Sequence, residues 1–445
     1  MSERASGRGP VIARARTRRA ATRRASKPRE RTIVLALGAF GWVLAFTDCP
    51  EVVEGVEAIL TGWHLRRLPS ATARRADARI KKTARGFFWT SRRLPKPELW
   101  DAHPPASAMQ AVCDVHDVLF DWFLQKNPRH LCLHGAAVRI GAGLVCFPSV
   151  QKSGKSTLCV ALAARGHAVY GDDVLAIEPH NSRGAAFGIA PRLRKPLPRA
   201  FGASLVRFVR ERAGPSDRRW IYVALREDEL APLGDAAPIT AFVLLERGSS
   251  GAKLEPAAKS EMLREILLQN FARQVPPVEL LDRLMRLTER VPCYRLRYGA
   301  LADAARLLER KFERGRARPP PRRHEVAPAA KSQPRSPLRD GRHAGRFRRA
   351  PGVEAREVGG EIFVAAPGPK TIHHLDRMAS AVWRALAAPK SAAELLAVFR
   401  AAFPDAPARK VERDVRKLLA FLENGELIVR TGRPRRRTAS RGKAP

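Results

Sequence analysis

The chain has 6 cysteines in 445 residues, and no two of them fall at C-x-x-C spacing. That excludes a disulfide framework and a zinc site built on paired thiolates. Cys132, Cys146 and Cys159 lie in apolar strand or helix patterns and read as small buried hydrophobes of a reducing compartment. The chain also offers no good membrane span, which needs about 20 apolar residues. The apolar run Thr32–Phe46 has 15 residues and is split by Gly38 and Gly41. A basic segment before such a run resembles a signal peptide, but Thr47, Asp48, Cys49 and Pro50 make a poor cleavage site. Two strands, Ile33–Leu37 and Trp42–Phe46, followed by a helix Glu51–Leu60, use the segment better. A cytoplasmic protein is expected.

Acidic charge is scarce: 43 Asp and Glu stand against 82 Lys and Arg, for a net charge of +39. Two thirds of the excess lies in residues 1–31, 314–350 and 430–445. These segments are too polar and too like-charged to build a core. Aromatic residues are missing from them apart from Phe347, which favours solvated tails and linker over a nucleic-acid surface. The expected organisation is a disordered tail 1–31, a domain 32–312, an Arg- and Pro-rich linker 313–350, a small domain 351–430 and a basic tail 431–445.

The densest pattern lies between Gly143 and Asp173. Gly143–Phe147 reads as a buried strand. Ser149, Val150, Gln151, Lys152, Ser153, Gly154, Lys155, Ser156 and Thr157 read as a phosphate loop. Leu158–Arg165 reads as a helix and Ala168–Tyr170 as a second strand before Asp172 and Asp173. Strand, loop, helix, strand and acid is the order of a P-loop nucleotide site. Gly154 lets the backbone approach phosphate oxygens, Lys155 is a point cation for the phosphates, and Ser156 offers a hydroxyl to Mg²⁺. The helix N-terminus adds its dipole. One carboxylate of the Asp pair can reach the metal and the other can take a proton from an attacking hydroxyl. Ser149 stands where the motif has its first glycine; if that position needs φ > 0 it costs on the order of 1 kcal/mol. Lys152 adds a cation inside the loop.

Upstream, His134 and Gly135 precede a strand pair and the loop. Together with Asp172 and Asp173 after a single helix, they resemble the HPr kinase/phosphorylase family. The shorter HPr-kinase-like proteins of bacterial peptide-modification systems are the nearer likeness. The resemblance spans roughly residues 32–310 and is dense between His134 and Ile177. It implies an α/β P-loop kinase domain with ATP and Mg²⁺, Asp173 as the base, Asp172 on the metal and His134 supporting the acidic pair. Family loops carry glycine where this chain has Ser149 and Lys152. A basic, Pro-punctuated segment follows the acidic pair in these relatives; here Arg192, Arg194 and Lys195 stand in it and are expected to neutralise phosphoryl charge.

Further on, Ile239–Glu246 reads as a strand, Lys259–Asn270 and Val278–Arg290 as helices, Cys293–Tyr298 as a half-buried strand and Ala300–Phe312 as a helix. Beyond the linker, Glu354–Val358, Gly359, Gly360 and Glu361–Ala366 read as a hairpin, and Thr371–Leu375 as a third strand. Helices over Arg377–Leu386, Ser391–Ala402 and Pro407–Glu423, and a strand Glu426–Val429, complete a small α+β, winged-helix-like unit. Trp383 and the ending Asn424–Val429 resemble the PqqD-like peptide-recognition domains. That resemblance implies a leader peptide added beside the third strand, at Thr371, Ile372, His373 and Leu375, and packed on the third helix.

The two resemblances imply a kinase for a Ser or Thr hydroxyl of a ribosomally made precursor peptide whose leader the C-terminal domain holds. Other peptide-modification enzymes and a second copy of the chain would be further partners. Two alternatives differ in class. One is a non-catalytic module with a degenerate loop that presents leader peptide to another enzyme. The other is a winged-helix regulator that binds nucleic acid through its basic tails.

Overall fold

The computed structural model describes residues 30–38, 40–92, 105–148, 153–199, 201–248, 251–271, 275–313, 345–366, 371–402 and 407–431. Nearly all of the segments expected to be disordered lie outside these residues, as do Ser149 and Lys152. The structure is mixed α/β. No helix among the described residues is long and apolar enough to cross a membrane.

The apolar run near the N-terminus is a hairpin. Strands Thr32–Leu37 and Trp42–Thr47 pair antiparallel, and α1 (Pro50–Ile59) follows with Pro50 at its first turn. The hairpin is the centre of a five-stranded sheet that also takes in Leu65–Leu68, Ala78–Thr83 and Gly86–Ser91. Gly86–Ser91 carries the aromatic run Phe87, Phe88 and Trp89, a short-strand signal in the sequence, whereas adjacent Arg and Lys residues blur the two-residue period of the other two. Helix α2 (Ala108–Lys126) packs across α1, and its N-cap Ser107 accepts a hydrogen bond from Gln110 N at 3.1 Å. Trp42, Trp63, Trp122 and Phe187 bury their rings in this first core.

A nine-stranded mixed sheet follows. Gly143–Phe147 is antiparallel to Ala136–Ile140 and parallel to Ala236–Arg247, which is in turn parallel to Cys293–Tyr298. All five residues of Gly143–Phe147 are buried, as a continuous apolar run in a parallel setting requires. α3 (Lys155–Ala163) covers the sheet together with the later α7 (Leu301–Phe312). α5 (Lys259–Gln269) and α6 (Pro277–Arg290) cover another part of it. Between Ile177 and Ile239 the sequence was irregular. The structure has short strands there, a small sheet of Arg192–Arg194, Ala213–Ser216 and Trp220–Val223, and α4 (Ala203–Glu211). α4 buries only Val209, too narrow a stripe to be legible.

The C-terminal unit holds a hairpin, Glu354–Val358 with Glu361–Ala365, and the strand Ile372–Leu375 on its edge. Helices α8 (Arg377–Ala385), α9 (Ala392–Ala402) and α10 (Ala408–Asn424) follow. Asp376 caps α8 through Ala379 N, and Ser391 with Glu394 forms the reciprocal capping box of α9. One linker boundary is corrected. Phe347, assigned to the linker, is buried in this core, and Phe347–Arg349 pairs with Ile428–Arg430. The Arg-rich composition hid a strand whose single aromatic residue is its anchor.

The two parts are docked. The hairpin sends Ile362 and Val364 into its own core and Phe363, by the two-residue period, the other way. Phe363 is fully buried in the cluster that contains Met262, Leu263, Leu281 and Leu284. Arg356 reaches Asp282 through Nε at 2.8 Å and Nη2 at 3.3 Å.

Candidate functional site

Three parallel strands end on one side of the nine-stranded sheet, which is where open α/β sheets present ligand sites. Gly143–Phe147 leads to Gly154, the residue before α3, with φ of 99°. An L side chain rarely adopts that backbone, and a Cβ there would lie 2.9 Å from Tyr298 Oη and 3.1 Å from Arg247 Nη2. Arg247 and Tyr298 are the last residues of the other two strands, with the Arg247 guanidinium 4.7 Å from the Tyr298 ring centroid. The sequence reading missed both. Each closes a strand that was legible, but only the parallel pairing in the sheet brings that strand's end beside the glycine turn.

Gly154, Lys155, Ser156 and Thr157 line a cavity of about 810 Å³. Lys155 is only 6% exposed, and burial pulls its pKa below the ordinary amine value, opposed by Asp172 and Asp173. The Ser153 hydroxyl is buried with no hydrogen-bond partner. Asp173, His134, Arg192 and Arg194 line the same cavity. Asp172 is buried beside Asp173, and burial followed by the Asp173 charge pushes its carboxyl up to about 7. Its Oδ2 accepts from Arg192 N at 3.1 Å, hydrogen bonding from the Ser156 side chain opposes the rise, and Oδ1 has no hydrogen-bond partner among the described residues.

Arg192 orients the acidic pair from the other side. Its Nη2 is 3.5 Å from Asp173 Oδ2, its Nη1 is 3.2 Å from Cys113 Sγ, and its guanidinium lies 4.8 Å from the Trp220 ring centroid. The Arg194 guanidinium also lies over Trp220, 4.7 Å from the ring centroid. Lys195 does not join them: its Nζ donates to Asp217 O at 2.8 Å and it does not line the cavity. His134 is held by its backbone, where N donates to Gln269 O at 2.7 Å. Burial, and then Lys155, lowers its pKa, so its imidazole is neutral near pH 7. The sequence reading also missed the wall facing this group, formed by α2 and Phe271.

The proposed peptide site is separate. Among the described residues, Ile372–Leu375 pairs with Glu361–Ala365 on one side only. Thr371 is exposed and precedes the strand. Leu375 is buried in the C-terminal core, Ile372 packs toward the larger part, and the His373 ring lies 5.5 Å from Phe421 of α10. Phe421 is 46% exposed.

Comparison with known proteins gives one family match: residues 361–428 fit the model described as coenzyme PQQ synthesis protein D (PqqD). Among solved structures, the chain is similar to TbiB1 in complex with the TbiA(beta) leader peptide, at 25% identity, over 20% of this chain and 98% of that one, with a TM-score of 0.18. It is also similar to the HPr(Ser) kinase/phosphatase from Coxiella burnetii, at 14% identity, over 41% of this chain and 99% of that one, with a TM-score of 0.21. No curated protein sequence matches. The C-terminal unit of this chain is therefore a PqqD domain.

Proposed function

We propose that the chain is an ATP-dependent kinase that phosphorylates a Ser or Thr hydroxyl of a ribosomally made precursor peptide, with the leader held by the PqqD domain. The observation that carries this reading is the convergence of Lys155, Ser156, Asp173, His134 and Arg192 on one cavity. The chemistry of the site fits a nucleotide with Mg²⁺. A buried carboxylate oxygen of Asp172 and the buried Ser153 hydroxyl have no hydrogen-bond partner among the described residues, and such groups are costly to leave unpaired. Gly154 leaves no room for a side chain where a phosphate must approach.

In this reading Lys155 and the first amides of α3 cradle the phosphates, and Ser156 and Asp172 hold Mg²⁺, which supplies neutralisation of phosphate charge. Asp173 accepts the proton of the acceptor hydroxyl while its oxygen bonds to the γ-phosphorus and ADP leaves. Arg192 and Arg194 bring cationic charge to the transferred group. The PqqD domain would hold the leader along the edge of Ile372–Leu375 that is unpaired among the described residues and against Phe421, where main-chain hydrogen bonds give affinity and apolar contacts give selectivity. Holding the leader raises the effective concentration of the acceptor.

Calorimetry with Mg·ATP tests the reading. Micromolar binding to the wild type, lost in Lys155→Ala, is the expected result, followed by transfer of label from ATP that Asp173→Asn abolishes. An absence of binding to the wild type would overturn the kinase reading and leave a module that presents peptide.

A further inference from the structure

The cavity has two unlike walls. One carries the cations just described, Lys155, Arg192, Arg194 and Arg247. The other is a face of α2, which contributes Asp117, Phe120, Asp121 and Leu124. The spacings of three, four and seven residues place these four side chains on one stripe. Asp117 and Asp121 form one column and Phe120 and Leu124 the next. Phe271 extends the apolar column: its ring meets Phe120 edge-on, 4.9 Å between centroids. The Asp117 side chain is 76% exposed although it lines the cavity, and its Oδ1 lies 3.7 Å from Nδ1 of His116, a ring whose pKa burial lowers.

In a chain with nearly twice as many basic as acidic side chains, a carboxylate column lining the same cavity as these cations makes a polarised site, with Arg192 at the junction, 3.2 Å from Cys113 Sγ one turn before Asp117 on α2. The cationic wall suits phosphates. The carboxylates would repel phosphates and attract an ammonium or guanidinium. The apolar column beside them would desolvate an aliphatic or aromatic side chain.

Building on the kinase reading, we propose that this face of α2 selects the acceptor. It takes a peptide segment whose Ser or Thr is flanked by a Lys or Arg, seated on Asp117 and Asp121, and by an apolar residue seated on Phe120, Leu124 and Phe271. The hydroxyl then lies between the two walls, beside Asp173. Exposed carboxylates discriminate modestly, so each charge contact is expected to give about twofold to fivefold in kcat/KM.

The test uses the full chain, labelled ATP and a positionally degenerate serine-peptide library. Binding of fluorescent Lys-Leu and Glu-Leu serine peptides is measured alongside by anisotropy without nucleotide. The proposal expects enrichment of Lys or Arg and of Leu or Phe near the labelled serine, and tighter binding of the Lys peptide. Asp117→Asn with Asp121→Asn should erase the charge preference, and the double Lys substitution at these positions should turn it toward Glu. Mg·ATP calorimetry on each variant checks that the fold is intact. The chain carries hydroxyls of the proposed class, Thr438 and Ser440 among Arg435, Arg436, Arg437 and Arg441, so self-labelling is scored by peptide mass. Label on these residues supports the same selectivity from an internal source. Labelled peptides with no charge preference overturn this proposal and leave the kinase reading standing. Bound ATP with no preference in the anisotropy does the same. Failure to bind Mg·ATP overturns the kinase reading and this one with it.

Discussion

Replacing Phe363 by Ala tests how the two parts of the molecule are joined. Phe363 belongs to the hairpin of the PqqD domain, yet its fully buried side chain lies in the apolar cluster that contains Met262, Leu263, Leu281 and Leu284. Emptying a buried phenylalanine site costs about 3–5 kcal/mol. The neighbouring Arg356–Asp282 pair is 28% and 32% exposed, and such a pair contributes about 1 kcal/mol or less. The apolar seat therefore dominates the docking. A protease site engineered between residues 314 and 344 would separate the parts covalently. The nicked wild-type fragments are expected to remain associated, and Phe363→Ala to weaken them by about a hundredfold to several thousandfold at 1.4 kcal/mol per tenfold. Arg356→Ala should weaken them by about fivefold or less. In an undocked hairpin Phe363 would face water, and its removal would change little. An unchanged dissociation constant, measured by titrating one fragment into the other, would refute the docking.

Other expectations follow from single sites. Gly154→Ala should lose Mg·ATP affinity on calorimetry while the fold survives, because the φ of 99° strains an L residue by about 1–2 kcal/mol and the new methyl meets Tyr298 and Arg247. Glu229→Ala should destabilise by about 3–5 kcal/mol in urea unfolding. It strips the nearly buried Arg212 of its closer carboxylate partner, bonded through Nε at 2.8 and 2.6 Å, and leaves the exposed Glu211 at 3.7 Å from Nη1. Asp114 is buried on α2, and that burial raises its pKa above the ordinary carboxylate value. Its folded form holds its proton longer than the unfolded chain does. The stability it contributes is thus present below the unfolded value, about 4, and lost as pH rises past the folded one. Asp114→Asn should therefore raise the melting temperature more at pH 7 than at pH 4; an equal shift at both would contradict this.

Much of the candidate site was legible because its chemistry is local. Gly154, Lys155, Ser156, Asp172 and Asp173 lie within twenty residues, and the strand-turn-helix that presents them is coded by an apolar run, a glycine and a helical period. The PqqD domain was legible for the same reason: its caps, turn glycines and helix stripes are short-range signals. Long-range pairing was not. The five-stranded sheet, Arg247 and Tyr298 beside Gly154, and the α2 face across the cavity depend on residues separated by up to about 150 positions. No local period encodes such neighbours, because sheet order and helix docking are chosen by whichever apolar faces cover each other. Phe347 makes the same point: its own segment reads as linker, and only the partner strand Ile428–Arg430 makes it core. The sequence alone determined the glycine turn with its lysine and aspartates, and the small PqqD unit. Tertiary structure decided what stands opposite that turn and that the unit is packed against α5 and α6 rather than merely tethered. Burial of Phe363 is a property of two surfaces, not of either one.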